Sequence, residues 1–172
     1  VSTLKKSTLT QSEEKQLLES FTKNIKNLKL KPLEQIPFFI TFCHHFNNHL
    51  AGHAPSLSDK SKLIGKLLFK PGMRHFFDQK PLKDKGITKL GYKVLDLLLS
   101  KDNGPRILID VKHMSVLSRI EYYNLLKTKY KNVPIINSHA SVSGIETLEK
   151  AKRIKSDWET DKNSFISKWS IN

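Results

Sequence analysis

The sequence predicts an α/β fold, and more specifically part of a TIM-type (β/α)8 barrel in which parallel strands alternate with helices. Apolar runs rich in β-branched residues alternate along the chain with segments whose apolar residues recur at helical spacing. Three such strands are too few to close a barrel, and an open sheet of strands this apolar would leave its edges exposed. The 172 residues are therefore expected to form a single domain, residues 1–172, that is an internal fragment of a barrel.

The first helix and the first strand occupy the N-terminal part of the chain. Residues 10–30 are predicted to form an amphipathic helix that starts with a Thr-Gln-Ser-Glu capping box and is stopped by Pro32. Residues 36–43 are an apolar run of aromatic and β-branched residues, which is typical of a strand buried on both faces. Residues 55–85 are rich in Pro and Lys and are predicted to be a basic surface insertion.

A second helix and a second strand follow the insertion. Thr88 is the expected N-cap of the helix. Its buried stripe is expected to consist of Leu90, Val94, Leu95 and Leu98. Residues 107–112, Ile-Leu-Ile-Asp-Val-Lys, have the composition of a strand.

The last predicted elements are a helix, a strand and a charged segment. Ser115 or Ser118 caps the third helix, and Ser118 with Glu121 fits a capping box. Residues 133–138 are predicted to be the third strand, with a proline near the strand start where a missing amide is tolerated. Residues 146–163 alternate acidic and basic residues in a helical or linker-like stretch, and residues 146–169 are predicted to be a charged helical insertion.

Positive charge dominates the composition and is concentrated in one stretch. The chain has 30 Lys and Arg residues against 16 Asp and Glu, a formal net charge of +14. Residues 59–93 hold ten of these basic residues and three acidic ones, which is half of the excess. The stretch is typical either of a module that binds nucleic acid or an acidic surface, or of a solvated, lysine-rich surface. Because no known nucleic-acid-binding motif is visible, nucleic acid is the less favoured partner.

Cysteine content and hydropathy exclude several classes of protein. The single cysteine, Cys43, excludes an internal disulfide and a paired-cysteine zinc site, so a metal would need His, Asp or Glu ligands. No apolar run approaches the roughly 18–20 residues of a membrane span. The single cysteine and the lack of a visible signal peptide favour a cytoplasmic location.

Three histidines stand at equivalent places in the predicted fold. His44, His113 and His139 each follow one of the three predicted strands. Parallel sheets and barrels place active sites at the carboxyl ends of strands, so these side chains are expected to converge and could bind a metal ion. The alternative is that each histidine is a core or surface group hydrogen-bonded within its own loop. Asp110, three positions before His113, is expected to point to the opposite face and to bond neighbouring backbone or a helix cap instead of a metal.

Two neighbouring features offer competing interpretations. His45, His49 and His53 are spaced i, i+4, i+8 and would share one face of a helix, which would favour a different metal site. Cys43 lies beside His44 and is either a nucleophile or inert packing at a buried strand end.

Four segments match the sequence patterns of a known peptidase family. They are Ile-Thr-Phe-Cys-His-His-Phe-Asn at 40–47, Gly-Ile-Thr-Lys-Leu-Gly at 86–91, Ile-Asp-Val-Lys-His-Met-Ser at 109–115 and Pro-Ile-Ile-Asn-Ser-His-Ala-Ser at 134–141. These resemble the L-T-L-T-H-x-x-N, G-L-T-x-x-G, D-L-S-H-V-S and P-V-I-x-S-H-S-S patterns of the membrane (renal) dipeptidase family of zinc metallopeptidases. The order of the four segments and their approximate spacing also match that family.

The resemblance implies an amidohydrolase-type (β/α)8 barrel with zinc, two ions per complete site, in which a bridging hydroxide attacks a dipeptide or small amide substrate. By position in the motifs, it implies that His113 and His139 are ligands of one zinc. It also implies that His44 is catalytic, contacting the substrate or stabilising the oxyanion, and that Asn47 contacts the substrate. The resemblance is compatible with a homodimer.

The chain departs from the family pattern in several places. The family's first-strand H-x-D motif, bridging Glu, late Asp and substrate-binding Arg have no recognisable counterpart, and Lys112 replaces a small residue. The sequence therefore predicts one of two things. The first is a zinc-dependent hydrolase fragment that is inactive alone and needs the remainder of its own barrel, and the second is a noncatalytic barrel-like scaffold.

Overall fold

The computed structural model describes residues 8–44, 47–54, 81–139 and Thr147. Within these ranges the chain is mixed α/β, with three α-helices, one short 3-10 helix and a two-stranded parallel sheet. In chain order the elements are α1 (Gln11–Lys29), the 3-10 helix (Leu33–Gln35), β1 (Phe39–Thr41), α2 (Lys89–Leu99), β2 (Leu108–Asp110) and α3 (Val116–Thr128). The predicted combination of helices with parallel strands is confirmed for this part of the chain.

The two strands pair in parallel, and a third segment lies beside them. The register joins Phe39 to Leu108, Ile40 to Ile109 and Thr41 to Asp110. Ile136 forms a parallel bridge to Asp110, and its carbonyl accepts a hydrogen bond from Val111 N at 2.9 Å. Three successive chain segments therefore lie side by side in chain order, with their carboxyl ends at one edge.

Two strand predictions are corrected. The strand predicted at 36–43 is shorter, and its first and last residues are exposed rather than buried, because β1 is the outer strand of the described sheet. The strand predicted at 133–138 is reduced to the bridge at Ile136, and Pro134 lacks the amide that a regular ladder needs. The central strand, β2, is buried along its whole length, as a parallel strand covered on both faces should be.

The first two helices begin at the predicted capping residues. Thr10 Oγ1 accepts a hydrogen bond from Glu13 N, and the Glu13 carboxylate accepts one from Thr10 N at 2.9 Å, which confirms the capping box. At the start of α2, Thr88 Oγ1 accepts a hydrogen bond from Gly91 N at 2.9 Å. The predicted stripe of α2 is buried at Leu90, Val94, Leu95 and Leu98. This stripe belongs to the apolar core that α2 forms with β2 and α3, and α1 packs against α2.

The structure shows which of the two predicted residues is the N-cap of α3. Ser115 is the N-cap, because its Oγ accepts a hydrogen bond from Ser118 N at 3.0 Å. The predicted Ser118–Glu121 capping box is wrong. Ser118 lies inside the helix and donates its hydroxyl hydrogen to Gly52 O at 3.0 Å. The Glu121 carboxylate accepts a hydrogen bond from Ile87 N at 2.6 Å, so this pair joins α3 to neighbouring segments.

Residues 47–54 and 81–88 pair with each other beside the start of α3. Gly52 N donates a hydrogen bond to Gly86 O at 2.9 Å. An added Cβ at Gly52 would lie 1.8 Å from Lys85 O, so only glycine allows this approach of two backbones. The contact holds the loop that follows His44 against the rest of the fold.

The two predicted insertions lie largely outside the described residues. Of the basic insertion 55–85 only residues 81–85 are described, and of the charged insertion 146–169 only Thr147. The hypothesis of a basic binding module depends on that first segment and stays a prediction. In the part of the chain that the structure describes, every helix is too short or too polar to span a membrane.

Candidate active site

The three histidines predicted at the strand ends lie together at the carboxyl edge of the sheet. The ring centroids of His44 and His113 are 4.5 Å apart, and those of His113 and His139 are 5.5 Å apart. His113 is only 5 % exposed and contacts both of the other rings, which are exposed. The convergence follows from the parallel pairing, which brings the ends of all three segments to the same edge.

A tight turn after β2 presents His113 at this edge. His113 has a φ of 65°, in the left-handed region that residues other than glycine seldom adopt. Met114 N donates a hydrogen bond to Val111 O at 3.1 Å, and Ala54 N donates one to His113 O at 2.8 Å. The surrounding hydrogen bonds thus maintain an uncommon backbone conformation, which is typical of functional positions.

Asp110, at the end of β2, joins the three segments that carry the histidines. Its Oδ2 accepts hydrogen bonds from the hydroxyls of Thr41 and Ser138, both at 2.8 Å. Its Oδ1 accepts hydrogen bonds from the backbone amides of Lys112 and Ser138, both at 3.1 Å. Burial acts to raise the pKa of Asp110, but the hydrogen bonds from Ser138, Lys112 and Thr41 outweigh it and lower the pKa. The side chain is therefore a charged carboxylate at neutral pH.

Ser138 connects this carboxylate to the third histidine. Its Oγ lies 2.7 Å from His139 Nδ1, within hydrogen-bond distance. The predicted bonding of Asp110 to neighbouring backbone is confirmed. Its connection to His139 was not predictable, because alternation along β2 says nothing about which side chain of the third segment lies opposite.

The prediction that His45, His49 and His53 share one face of a helix is wrong. Residues 47–54 form no helix, and His45 lies outside the described residues. His49 is buried, with a φ of 61°. His53 is fully buried, and its two ring nitrogens lie 3.3 and 3.2 Å from the carbonyl oxygens of Ala54 and Pro81. Buried ring nitrogens next to backbone carbonyls indicate a structural role for His53.

Asn47, predicted to contact the substrate, shapes the loop that follows His44. Its Oδ1 accepts a hydrogen bond from His49 N at 2.9 Å, and its Nδ2 lies 3.4 Å from His49 Nδ1. Asn48 acts in the same way, since its Oδ1 accepts from Leu50 N at 3.0 Å. Both asparagines therefore form local turns of the Asx type. A substrate contact by Asn47 stays a prediction.

Cys43 and Lys112, which adjoin the histidines in sequence, are both buried. Burial raises the pKa of the Cys43 thiol to about 12, and the thiol lies 3.5 Å from Gly52 O. A buried, protonated thiol is a packing group, which favours the inert interpretation of Cys43 over the nucleophile. Burial also lowers the pKa of Lys112, an effect that Asp110 opposes and Arg119 reinforces.

The two predicted zinc ligands fit one zinc ion in their chemistry and separation. Two imidazoles bound at about 2.0–2.1 Å to a tetrahedral zinc have ring centroids roughly 5 Å apart, close to the 5.5 Å between His113 and His139. Among the described residues, no group of three or more His, Cys, Asp or Glu side chains could hold a metal, so this pair is not a complete site.

No protein-family model, curated protein or solved structure matches the chain.

Proposed function

We propose that the chain is an internal part of a zinc-dependent hydrolase with a (β/α)8 barrel, of the membrane dipeptidase type, which cleaves the peptide bond of a dipeptide or small amide. The observation that carries the proposal is the convergence of His44, His113 and His139 at the carboxyl edge of three successive parallel segments. Barrel enzymes hold their active sites at this edge. The four motifs that resemble the dipeptidase family support the same assignment.

In this proposal His113 and His139 hold one zinc, and the remaining ligands come from other strands of the barrel. Zinc, when bound, supplies a Lewis acid that activates water and polarises the scissile carbonyl. The protein's part is to fix the two imidazoles, which it does with the turn at His113 and with the hydrogen bonds of Ser138 at His139. His44 is exposed beside His113 and donates a hydrogen bond to the carbonyl oxygen as negative charge develops there.

Exposed apolar side chains that precede β1 in sequence or adjoin the bridge at Ile136 support the larger barrel. Leu30, Leu33, Phe38 and Ile135 are 76, 74, 69 and 47 % exposed. The first three precede the outer strand β1, and Ile135 adjoins the bridge on the other side of β2. Phe38 and Ile135 lie directly beside paired segments of the sheet, where further strands and helices of a barrel would cover them.

The test uses the full-length gene product that contains this chain, purified with its metal, and a panel of dipeptides. Zinc content and hydrolysis are expected in the wild type, and His113→Ala and His139→Ala are expected to lose both. His44→Ala should keep its zinc and lower kcat by about 10²–10³-fold, the usual effect of removing an oxyanion donor. His75→Ala, which changes a histidine outside the three predicted site positions, is the control and should keep both. A folded wild type with neither zinc nor hydrolysis would refute the proposal.

A noncatalytic barrel-like scaffold is the second candidate. It is supported by the departures from the family pattern, because the H-x-D motif, the bridging Glu, the late Asp and the substrate-binding Arg have no recognisable counterpart in the sequence. The zinc measurement separates the two candidates, because a scaffold would fold and would hold no zinc at His113 and His139.

A further inference from the structure

A chain of hydrogen bonds runs from the buried carboxylate of Asp110 to the exposed ring of His139. Each step is short, at 2.8 Å from Asp110 Oδ2 to Ser138 Oγ and 2.7 Å from Ser138 Oγ to His139 Nδ1. Asp110 is 0 % exposed, and two backbone amides bind its other oxygen. Because it accepts hydrogen bonds from four donors, the carboxylate acts only as an acceptor here.

The direction of each hydrogen bond in this chain follows from the number of available hydrogens. The hydroxyl of Ser138 has one hydrogen, which it donates to Asp110 Oδ2. Toward His139 the same oxygen can therefore only accept, so His139 Nδ1 must carry the hydrogen. A neutral imidazole with its hydrogen on Nδ1 keeps the lone pair on Nε2.

We propose that Asp110 is a positioning residue that acts through Ser138 to select the Nδ1–H tautomer of His139 and so presents Nε2 as a ligand. Without such a partner the two ring nitrogens of an exposed histidine compete for the hydrogen, since the tautomer is set by the hydrogen bond that the other nitrogen makes. The use of Nε2 for zinc rests on the proposed function, whereas the tautomer itself does not.

Asparagine has almost the same shape as aspartate, but Asp110→Asn reverses the donor and acceptor in each hydrogen bond between residue 110, Ser138 and His139. The amide oxygen of the asparagine takes the place of Oδ1, where two backbone amides require an acceptor. The amide nitrogen then takes the place of Oδ2 and donates to Ser138 Oγ. Ser138 donates its own hydrogen to His139 Nδ1, and the hydrogen of the imidazole moves to Nε2.

Thr41→Val is the matched control, and Ser138→Ala is the second variant. Thr41 donates to the same carboxylate oxygen at 2.8 Å but has no part in the step to His139. Thr41→Val therefore removes one hydrogen bond to Asp110 and leaves unchanged the direction of the hydrogen bonds from His139 through Ser138 to Asp110. Ser138→Ala removes the hydroxyl that Nδ1 binds, so His139 should become a mixture of both tautomers even if Asp110→Asn fails to fold.

The measurement is the long-range ¹H–¹⁵N correlation spectrum of the histidine rings in the metal-free protein at about pH 9, where histidine side chains are ordinarily neutral. His139→Gln identifies the His139 signals. The wild type and Thr41→Val should show Nδ1–H, Asp110→Asn should show Nε2–H, and Ser138→Ala should show both. A folded Asp110→Asn protein that keeps Nδ1–H would overturn the inference, as would Nδ1–H alone in Ser138→Ala.

Zinc binding by the full-length protein then separates this inference from the proposed function. If both are right, Asp110→Asn lowers zinc affinity by about 10–100-fold, as changes to the partners of metal-bound histidines do, and Thr41→Val does not. A wild type that shows the Nδ1–H tautomer and binds no zinc would refute the proposed function and would support the tautomer selection by Asp110.

Discussion

The close approach of two backbones at Gly52 makes the sharpest stability prediction. A Cβ atom added there would lie 1.8 Å from the carbonyl oxygen of Lys85 and 2.4 Å from its carbonyl carbon. Real Cβ contacts are essentially never under 3.0 Å, so one backbone segment would have to move by about 1.2 Å, the difference between 3.0 and 1.8 Å. A backbone carbonyl within paired segments cannot swing aside as a side chain can.

That movement would break hydrogen bonds around the start of α3. Gly52 N donates to Gly86 O at 2.9 Å. Gly52 O accepts from Ser115 N at 2.9 Å and from the Ser118 hydroxyl at 3.0 Å. Overpacking costs about 1–3 kcal/mol, and each lost hydrogen bond costs about 0.5–1.5 kcal/mol. If all three hydrogen bonds are lost, Gly52→Ala is therefore expected to lower the free energy of unfolding by about 2.5–7.5 kcal/mol.

Urea unfolding followed by circular dichroism measures this loss, with Gly86→Ala as the matched control. A Cβ atom at Gly86 would meet the carboxylate oxygens of Glu121, at 2.4 and 2.5 Å. That carboxylate is the end of a side chain and can move, at the cost of its hydrogen bond to Ile87 N, so about 1 kcal/mol is expected. A Gly52→Ala protein within about 1 kcal/mol of the wild type would refute the account of this contact.

Three further predictions concern single groups. The pKa of Asp110 is lower in the folded state than its ordinary value of 3.8. The carboxylate therefore stabilises the fold above that ordinary value, and this stabilisation is lost as the pH falls through the pKa of the folded state. When the free energy of unfolding is measured against falling pH, Asp110→Asn should lose less stability than the wild type. Burial raises the pKa of Cys43 to about 12, so a thiol reagent at neutral pH should react only as fast as the protein opens, and rapid labelling of the native protein would contradict this. Thr88→Ala removes the N-cap of α2 and a hydrogen bond to His49 O at 2.7 Å, so urea unfolding should show a loss of about 1–2 kcal/mol. Thr10→Ala, at the exposed start of α1, should cost about 0.5–1 kcal/mol. Equal losses would contradict the tertiary role of Thr88.

The helix starts were predictable because they depend on local chemistry. Thr10 and Thr88 each lie three residues before a backbone amide that needs an acceptor, and the structure shows both bonds. The same logic failed at Ser118, whose Ser-x-x-Glu pattern also marks a capping box. There the hydroxyl hydrogen goes to Gly52 O, 66 residues away in sequence, so a tertiary contact overrides the local pattern.

Strand burial was less predictable, because it depends on neighbours as well as composition. The runs around β1 and β2 are similarly apolar, yet only β2 is buried along its length. The difference comes from position, since β2 lies between β1 and the bridge at Ile136, whereas β1 is the outer strand of the described sheet.

The candidate site was predictable in outline and not in detail. The placement of His44, His113 and His139 after three apolar runs was enough to predict that parallel pairing would bring them together, and their rings are in contact. The role of Asp110 depends on the register that sets Thr41 beside it and on the position of Ser138. Register between distant segments is not encoded in any one of them.

The most direct test of the proposed function is a crystal structure of the full-length protein grown with zinc, with an anomalous difference map at the zinc absorption edge. The proposal predicts a peak about 2.0–2.1 Å from one ring nitrogen of His113 and from Nε2 of His139, with His44 outside the coordination sphere. A map without zinc at this edge of the sheet, or with zinc bound to other residues, would contradict it.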